Sequence, residues 1–265
     1  MSNAIRWVGF DMDECIGSVG PMYTFLTTTQ PAHPYEFLLA ETELLRNTWL
    51  FRPVMKKVLR VLWQAQKQEK IYGCFIYSNN GSQELVNFVR NTLNMMIKML
   101  YKLPDVPNMF QMAVSYYHVC RPDEVKDYAG IVRCLKYHKL PPPTSTNDLL
   151  FFDDLQHALQ NEIPHYVQVQ PYWNRMPVDM LASAIGNVVG IELPIKAAQK
   201  QEQEDLGHLD YVLEPQPEND YETDVAQWLG AIKEFLKKKR PSNPTKNNTV
   251  GGGRNRTRRA PKAVF

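Results

Sequence analysis

Cysteine is scarce in this chain, with four in 265 residues: Cys15, Cys74, Cys120 and Cys134. None falls in a CxxC pair and no neighbouring histidine pattern stands out, so the spacing argues against a zinc site and gives no disulfide framework. Reduced thiols are the expectation. Long apolar runs are missing too, and no segment approaches the roughly eighteen apolar residues of a membrane span. The opening residues, Met1 to Arg6, lack the charged region, apolar run and cleavage site of a secretory leader. These absences lead us to expect an intracellular protein, cytoplasmic or nuclear, without a membrane partner. Charge of one sign is lacking overall as well: 30 Lys and Arg against 28 Asp and Glu leave +2, which selects no partner by itself.

What is present suffices for a folded core. At 265 residues and 44% hydrophobic content, the chain can bury one domain with appendages or two small ones. The stretch that organises it runs from Ile5 to Cys15, where a short apolar strand delivers Asp11 and Asp13 at its carboxyl end. Past a strand's end the backbone turns, so carboxylates two residues apart can converge on one crevice. An Asp-x-Asp there also serves as a helix cap or turn, and the pair alone does not decide between these roles.

Further along, Pro21, Pro31 and Pro34 with Thr27 to Thr29 suggest a loop or small flap over residues 17–50, with a short helix from about Glu36 to Thr48. Pro53 fits the first turn of a helix carrying Val54, Val58, Val61, Leu62 and Ala65. A second strand, Ile71 to Tyr77, follows and ends at Ser78-Asn79-Asn80-Gly81, before a helix from Ser82 to about Leu100. Strand, helix and strand make a right-handed parallel unit. A hydroxyl at a strand tip beside amides opening a helix can hold a phosphate oxygen, although Ser82 and Asn-Gly also read as cap and turn.

Met109 to Tyr117 reads as a third strand, and Arg121 to Asp127 as the start of another helix, with Lys126 near a strand's carboxyl end. Leu149 to Phe152 is a fourth buried strand, ending in the second acidic pair, Asp153-Asp154, which taken alone also reads as the cap of a helix from Leu155 to Gln160. His165 to Gln170 supplies a fifth strand. Two acidic pairs at the mouth of one sheet suit Mg²⁺, which prefers oxygen ligands and keeps waters and substrate phosphate in its shell. Val178 to Ala184 reads as a helix, Gln199 to Asp205 as a solvated face or linker and Glu214 to Asp220 as a connection. An amphipathic helix returns from about Tyr221 to Lys239, with Val225, Trp228, Leu229, Ile232, Phe235 and Leu236 on one face. From Pro241 onward a basic tail rich in Pro, Asn, Thr and Gly is expected to be disordered. With Lys237, Lys238, Lys239 and Arg240 it can be read as an import-like cluster or a contact for nucleic acid or an acidic partner, and equally as a solubilising tail.

The order of these features, Asp-x-Asp, then Ser78, then Lys126, then Asp153-Asp154, resembles the four-motif signature of the haloacid-dehalogenase-like (HAD) superfamily over roughly Ile5 to Tyr172. That resemblance implies an α/β fold: a Rossmann-like parallel sheet flanked by helices, with a small flap rather than a large cap. Residues 1–172 would form the catalytic core, 173–240 a helical extension and 241–265 the tail. It also implies a Mg²⁺-dependent phosphatase. Asp11 would be the nucleophile and Asp13 the general acid and base; Ser78 and Asn79 would hold phosphate, and Lys126 would balance charge. Asp11, Asp13 through its carbonyl, Asp153 and Asp154 would bind the metal.

Within the superfamily, Asp11-Met12-Asp13-Glu14-Cys15 is similar to the Asp-x-Asp-Glu-Thr motif of phosphatases acting on the carboxy-terminal domain of RNA polymerase II. Arg52-Pro53 and Lys126-Asp127 also resemble that group, while Cys15 stands where Thr or Val is usual. The short gaps leave no room for a large cap, which favours a phosphorylated macromolecule, a phosphoprotein or a nucleic-acid end, as substrate. The competing class is a HAD-fold binding or structural protein without turnover that acts through its basic tail.

Overall fold

The computed structural model describes residues 4–17, 51–102, 107–122, 125–172 and 220–237. The expected flap with its helix, the segment from 173 to 219, Lys238 to Arg240 and the tail lie outside the described residues.

Along the chain come β1 (Trp7–Phe10), α1 (Met55–Lys67), β2 (Gly73–Tyr77), α2 (Gln83–Tyr101) and β3 (Phe110–Val114). Then follow α3 (Tyr128–Tyr137), β4 (Leu149–Asp153), a short α4 (Leu159–Glu162), β5 (His165–Gln168) and α5 (Asp220–Lys237). The five strands pair in parallel in the order β3-β2-β1-β4-β5, so the fold is α/β and Rossmann-like. The direction of winding reverses between β1 and β4, and such a switch point opens a crevice at the carboxyl ends of the strands.

Alternation along the strands explains why the apolar runs are nearly continuous. Val8, Phe10, Ile76, Leu150 and Phe152 face one core with residues of α1, α2 and α5. Trp7, Phe75, Tyr77, Leu149 and Phe151 face the other, beside α3 and α4. Both faces of the sheet are thereby covered, as a parallel sheet requires. Gly9 sits in the middle of β1, where an added Cβ would penetrate the rings of Phe75 and Phe151, so the absent side chain lets those aromatics meet across the sheet.

The helix starts show how local chemistry sets the boundaries. Ser82 caps α2, its side chain accepting from the Leu85 amide at 3.1 Å, as a residue favoured at this position should. The helix expected from Arg121 begins instead at Tyr128, because Asp127 is the cap and accepts from the Gly130 amide at 2.6 Å. Helix α1 likewise begins at Met55, two residues after Pro53. Residues expected to be helical from Leu155 yield only the single turn of α4.

One expectation is overturned. Cys120 and Cys134 form a disulfide, with Cα atoms 5.0 Å apart, whereas Cys15 and Cys74 are free and buried. Fourteen residues separate the pair in sequence; the return of α3 beside the β3 exit brings them together, and spacing alone carries no record of that.

Helix α5 is remote in sequence but completes the first core. Its Trp228 is fully buried and stacks on Phe152 at 4.4 Å and an interplanar angle of 4°. Its Asp224 meets the buried Arg52 guanidinium, Nη1 lying 2.9 and 2.8 Å from the two carboxylate oxygens. Arg52 also donates through Nε to the Cys15 carbonyl (2.9 Å), and through Nη2 to the carbonyls of Glu14 (2.9 Å) and Gln170. One side chain thus joins the loop after β1, the chain beyond β5 and the last helix.

Replacing Arg52 by Met strips Asp224 of that guanidinium and leaves three carbonyls without this donor, so we expect a loss of about 3–5 kcal/mol in denaturant unfolding. The double variant Arg52→Met, Asp224→Leu should recover only part of it. A single variant as stable as the parent protein would show that the clamp is dispensable.

Candidate active site

The crevice at the switch point is built from strand ends. Asp11 follows β1 directly, and its amide donates to the Phe152 carbonyl of β4 at 2.8 Å, which fixes the first acid against the strand that carries the second pair. Beyond it the chain curls tightly: the amides of Cys15 and Ile16 reach the carbonyls of Asp13 and Met12 at 2.6 and 3.0 Å. Glu14 adopts a left-handed backbone, φ 59°, which a non-glycine residue takes only when its surroundings hold it there. Those surroundings are Arg52 and the Tyr172 amide, both donating to the Glu14 carbonyl.

Lys126 is the centre of the charge arrangement. Its Nζ lies 2.6 Å from Asp11 Oδ1 and 2.8 Å from Asp153 Oδ2, with all three side chains buried. The lysine arrives on the loop between β3 and α3. That loop is held by the Tyr77 hydroxyl, which donates to the Val125 carbonyl at 3.3 Å, and by the Asp127 cap that follows. Asp153 Oδ1 accepts from the Leu155 amide at 3.1 Å. Oxygens of Asp11, Asp153 and Asp154 lie within 4.8 Å of one another.

Asp13 stands slightly apart from that trio. Its Oδ2 accepts from Asn80 Nδ2 at 3.0 Å, so the loop after β2 aims this second acid. Ser78 Oγ accepts from the Asn80 amide at 3.0 Å, and Asn79 Oδ1 accepts from Arg121 Nη2 at 2.6 Å. Arg121 is buried, stacks over Tyr77 at 4.6 Å and also donates to the Ser78 carbonyl at 2.7 Å. The structure therefore brings together Asp11, Lys126, Asp153 and Asp154. It places Asp13 beside Asn80, and Ser78 and Asn79 on the neighbouring loop.

Sequence reasoning assigned no role to Asn80 or Arg121. Asn80 was hidden inside a turn signal, and Arg121 inside what reads as a helix start. No pattern in the chain pairs either residue with its partner.

The electrostatics follow from burial. Burial, and next the Asp11 charge, push Asp13 up to about 6 and Asp154 up to about 7. Burial also raises Asp11, against the pull of Lys126. For Lys126, burial works against the charged form, but attraction to Asp11 and Asp153 outweighs it and raises the ammonium above its usual value. His157 approaches Asp153 to 3.7 Å, yet burial and then Lys126 push it down to about 4, so at neutral pH this contact is not an ion pair.

The site consequently holds more carboxylates than Lys126 alone balances, and its donors are hard oxygens. Asp11, Asp153 and Asp154, with one oxygen of each within 4.8 Å of the others, could together hold a metal ion.

Comparison with family models, with curated proteins and with solved structures finds no match for this chain. Inference about the site therefore rests on its geometry.

Asp154 in the folded protein, at about 7, lies above its ordinary 3.8. Between those values the folded state retains a proton that the unfolded chain releases, so this group's contribution to stability falls as pH rises through that window. In chelator, Asp154→Asn should raise the unfolding temperature by a few degrees at about pH 8 and leave it nearly unchanged at about pH 4. Equal shifts at both pH values would refute the assignment.

Proposed function

We propose that this protein is a Mg²⁺-dependent phosphatase of the HAD-like type, hydrolysing a phosphomonoester through an aspartyl-phosphate on Asp11. The observation that carries the reading is the Lys126 ammonium bridging Asp11 and Asp153 at the switch-point crevice, with Asp13 two residues along and oriented by Asn80. An ion pair serving stability alone gains little from burying three acids around one lysine, because desolvation offsets much of the attraction. A site that receives a phosphate and a cation needs that charge density.

In this reading an Asp11 carboxylate oxygen attacks phosphorus, and the bond from phosphorus to the leaving oxygen breaks. Asp13, held toward its protonated form, gives its proton to that oxygen. The free carboxylate of Asp13 then takes a proton from water, whose oxygen attacks the phosphorus of the acyl phosphate, releasing inorganic phosphate and restoring Asp11. Lys126 keeps Asp11 oriented and offsets negative charge as phosphate enters. Ser78 and Asn79, on the loop after β2, would hold phosphate oxygens. Asp11, Asp153 and Asp154, with the carbonyl of Asp13, would hold Mg²⁺, which would supply charge neutralisation and orientation of the phosphoryl group.

A macromolecular substrate, a phosphoprotein or a nucleic-acid end, fits the surroundings better than a small metabolite. Large apolar side chains stand exposed next to the reacting groups: Val125 (46%) before Lys126 and Leu155 (55%) after Asp154. Tyr117 (73%) is exposed in the loop after β3, its ring facing Gly81. These exposed side chains around the crevice would suit contact with a larger partner.

Hydrolysis of an aryl phosphate should require Mg²⁺ and be abolished by Asp11→Asn. Asp13→Asn should lower kcat by about 10²–10⁴-fold, as for loss of a general acid. Mg²⁺-independent turnover, or turnover untouched by Asp11→Asn, would refute the mechanism.

A further inference from the structure

The disulfide lies within a second cluster of metal-ligating side chains, separate from the acidic crevice. Cys120 is flanked by His118 two residues earlier, and Cys134 by His138 four residues later. Cys134 and His138 fall one turn apart at the end of α3, a spacing that puts both on one face of the helix. The turn after β3 brings His118 and Cys120 against that face. His118 Nδ1 is 3.0 Å from Cys120 Sγ, and the two imidazole rings are 5.3 Å apart. One donor atom from each of His118, Cys120 and His138 lies within 4.8 Å of the others, and the disulfide puts the Cys134 sulfur beside them.

Two features exceed what a structural disulfide requires. Nε2 of His138 is buried without a hydrogen-bond partner among the described residues, an arrangement that costs free energy unless something binds there. The donor set, moreover, is two sulfurs and two imidazole nitrogens, drawn from a turn and a helix end. With Zn–S near 2.3 Å and Zn–N near 2.0–2.1 Å, a tetrahedral centre needs its ligand atoms roughly 3.3–3.8 Å apart; those of His118 and Cys120 are 3.0 Å apart, and that of His138 lies within 4.8 Å of both.

We propose that His118, Cys120, Cys134 and His138 form a redox-gated Zn²⁺ site. In the oxidised protein Cys120 and Cys134 are joined. A dithiol reductant supplies two electrons, the S–S bond breaks, and two thiols form as the reductant closes into its own cyclic disulfide. Zn²⁺ then binds both sulfurs and both imidazoles, and the two thiol protons pass to solvent. Two thiolates and one Zn²⁺ sum to zero charge, so the centre can remain buried without a counter-ion. In either state the same crosslink closes the loop from β3 to α3. That loop carries Arg121 and Lys126, so the intracellular redox state would select the chemistry of the clamp without releasing it.

The test uses the full chain, reduced anaerobically, freed of reductant and titrated with Co²⁺ as a spectroscopic stand-in for Zn²⁺. We expect one Co²⁺ per chain to give thiolate-to-cobalt charge transfer and the intense visible bands of a tetrahedral centre, both bleached by Zn²⁺. The oxidised protein should give neither. That comparison needs no substitution, so it survives any folding defect in the variants. His138→Gln should weaken Co²⁺ binding at least tenfold. The double variant Cys120→Ser, Cys134→Ser should abolish the thiolate band while the acidic crevice remains intact. Folded, reduced protein that shows no thiolate band would overturn the proposal, and so would a band that persists in the double variant. Because the readout is the cobalt spectrum, it is independent of phosphatase activity.

Discussion

The buried Arg52 guanidinium is the interaction on which the rest of this structure depends. Its donors reach the carbonyls of the adjacent Glu14 and Cys15, the carbonyl of Gln170 and the carboxylate of Asp224, three stretches that lie far apart in sequence. A planar fork with five fixed N–H groups can serve so many acceptors at once, which a lysine could not. The consequence reaches the crevice, because the loop that Arg52 grips begins with Asp11 and Asp13. Left-handed backbone at Glu14 would otherwise relax, and the two acids would lose their common aim. Helix α5 belongs to the same device: it supplies Asp224, and its Trp228 covers Phe152 at the end of β4.

A second constraint is charge. Four carboxylates gather near one ammonium in a buried crevice, and burial, followed by the Asp11 charge, raises Asp13 and Asp154. A protein selected for stability alone would replace such a cluster with apolar packing at little cost. The cluster sits at the switch point of a parallel sheet, the edge at which ligands enter open α/β folds. The His118–His138 cluster obeys a different logic. There the donor atoms are sulfur and imidazole nitrogen instead of carboxylate oxygen, a softer set.

By itself the sequence determined the parallel α/β architecture and the places where acids emerge. Continuous apolar strands at Ile71 to Tyr77 and Leu149 to Phe152 can be buried on both faces only in a covered parallel sheet. Asp11 and Asp13 come within three residues of the end of β1, and Asp153 and Asp154 close and follow β4, so parallel strand direction carries them to one edge. These are local facts, set by periodicity and by the residue at a strand's end. The tertiary structure decided which distant groups meet. That Arg52 grips Asp224, that Asn80 aims Asp13, and that Cys120 lies against Cys134 and His138 depend on strand order and helix return, and no spacing in the chain encodes them. The late start of α3 has the same origin: Asp127 competes successfully for the cap, which leaves Lys126 in an extended loop, free to reach between two strands and bridge Asp11 to Asp153.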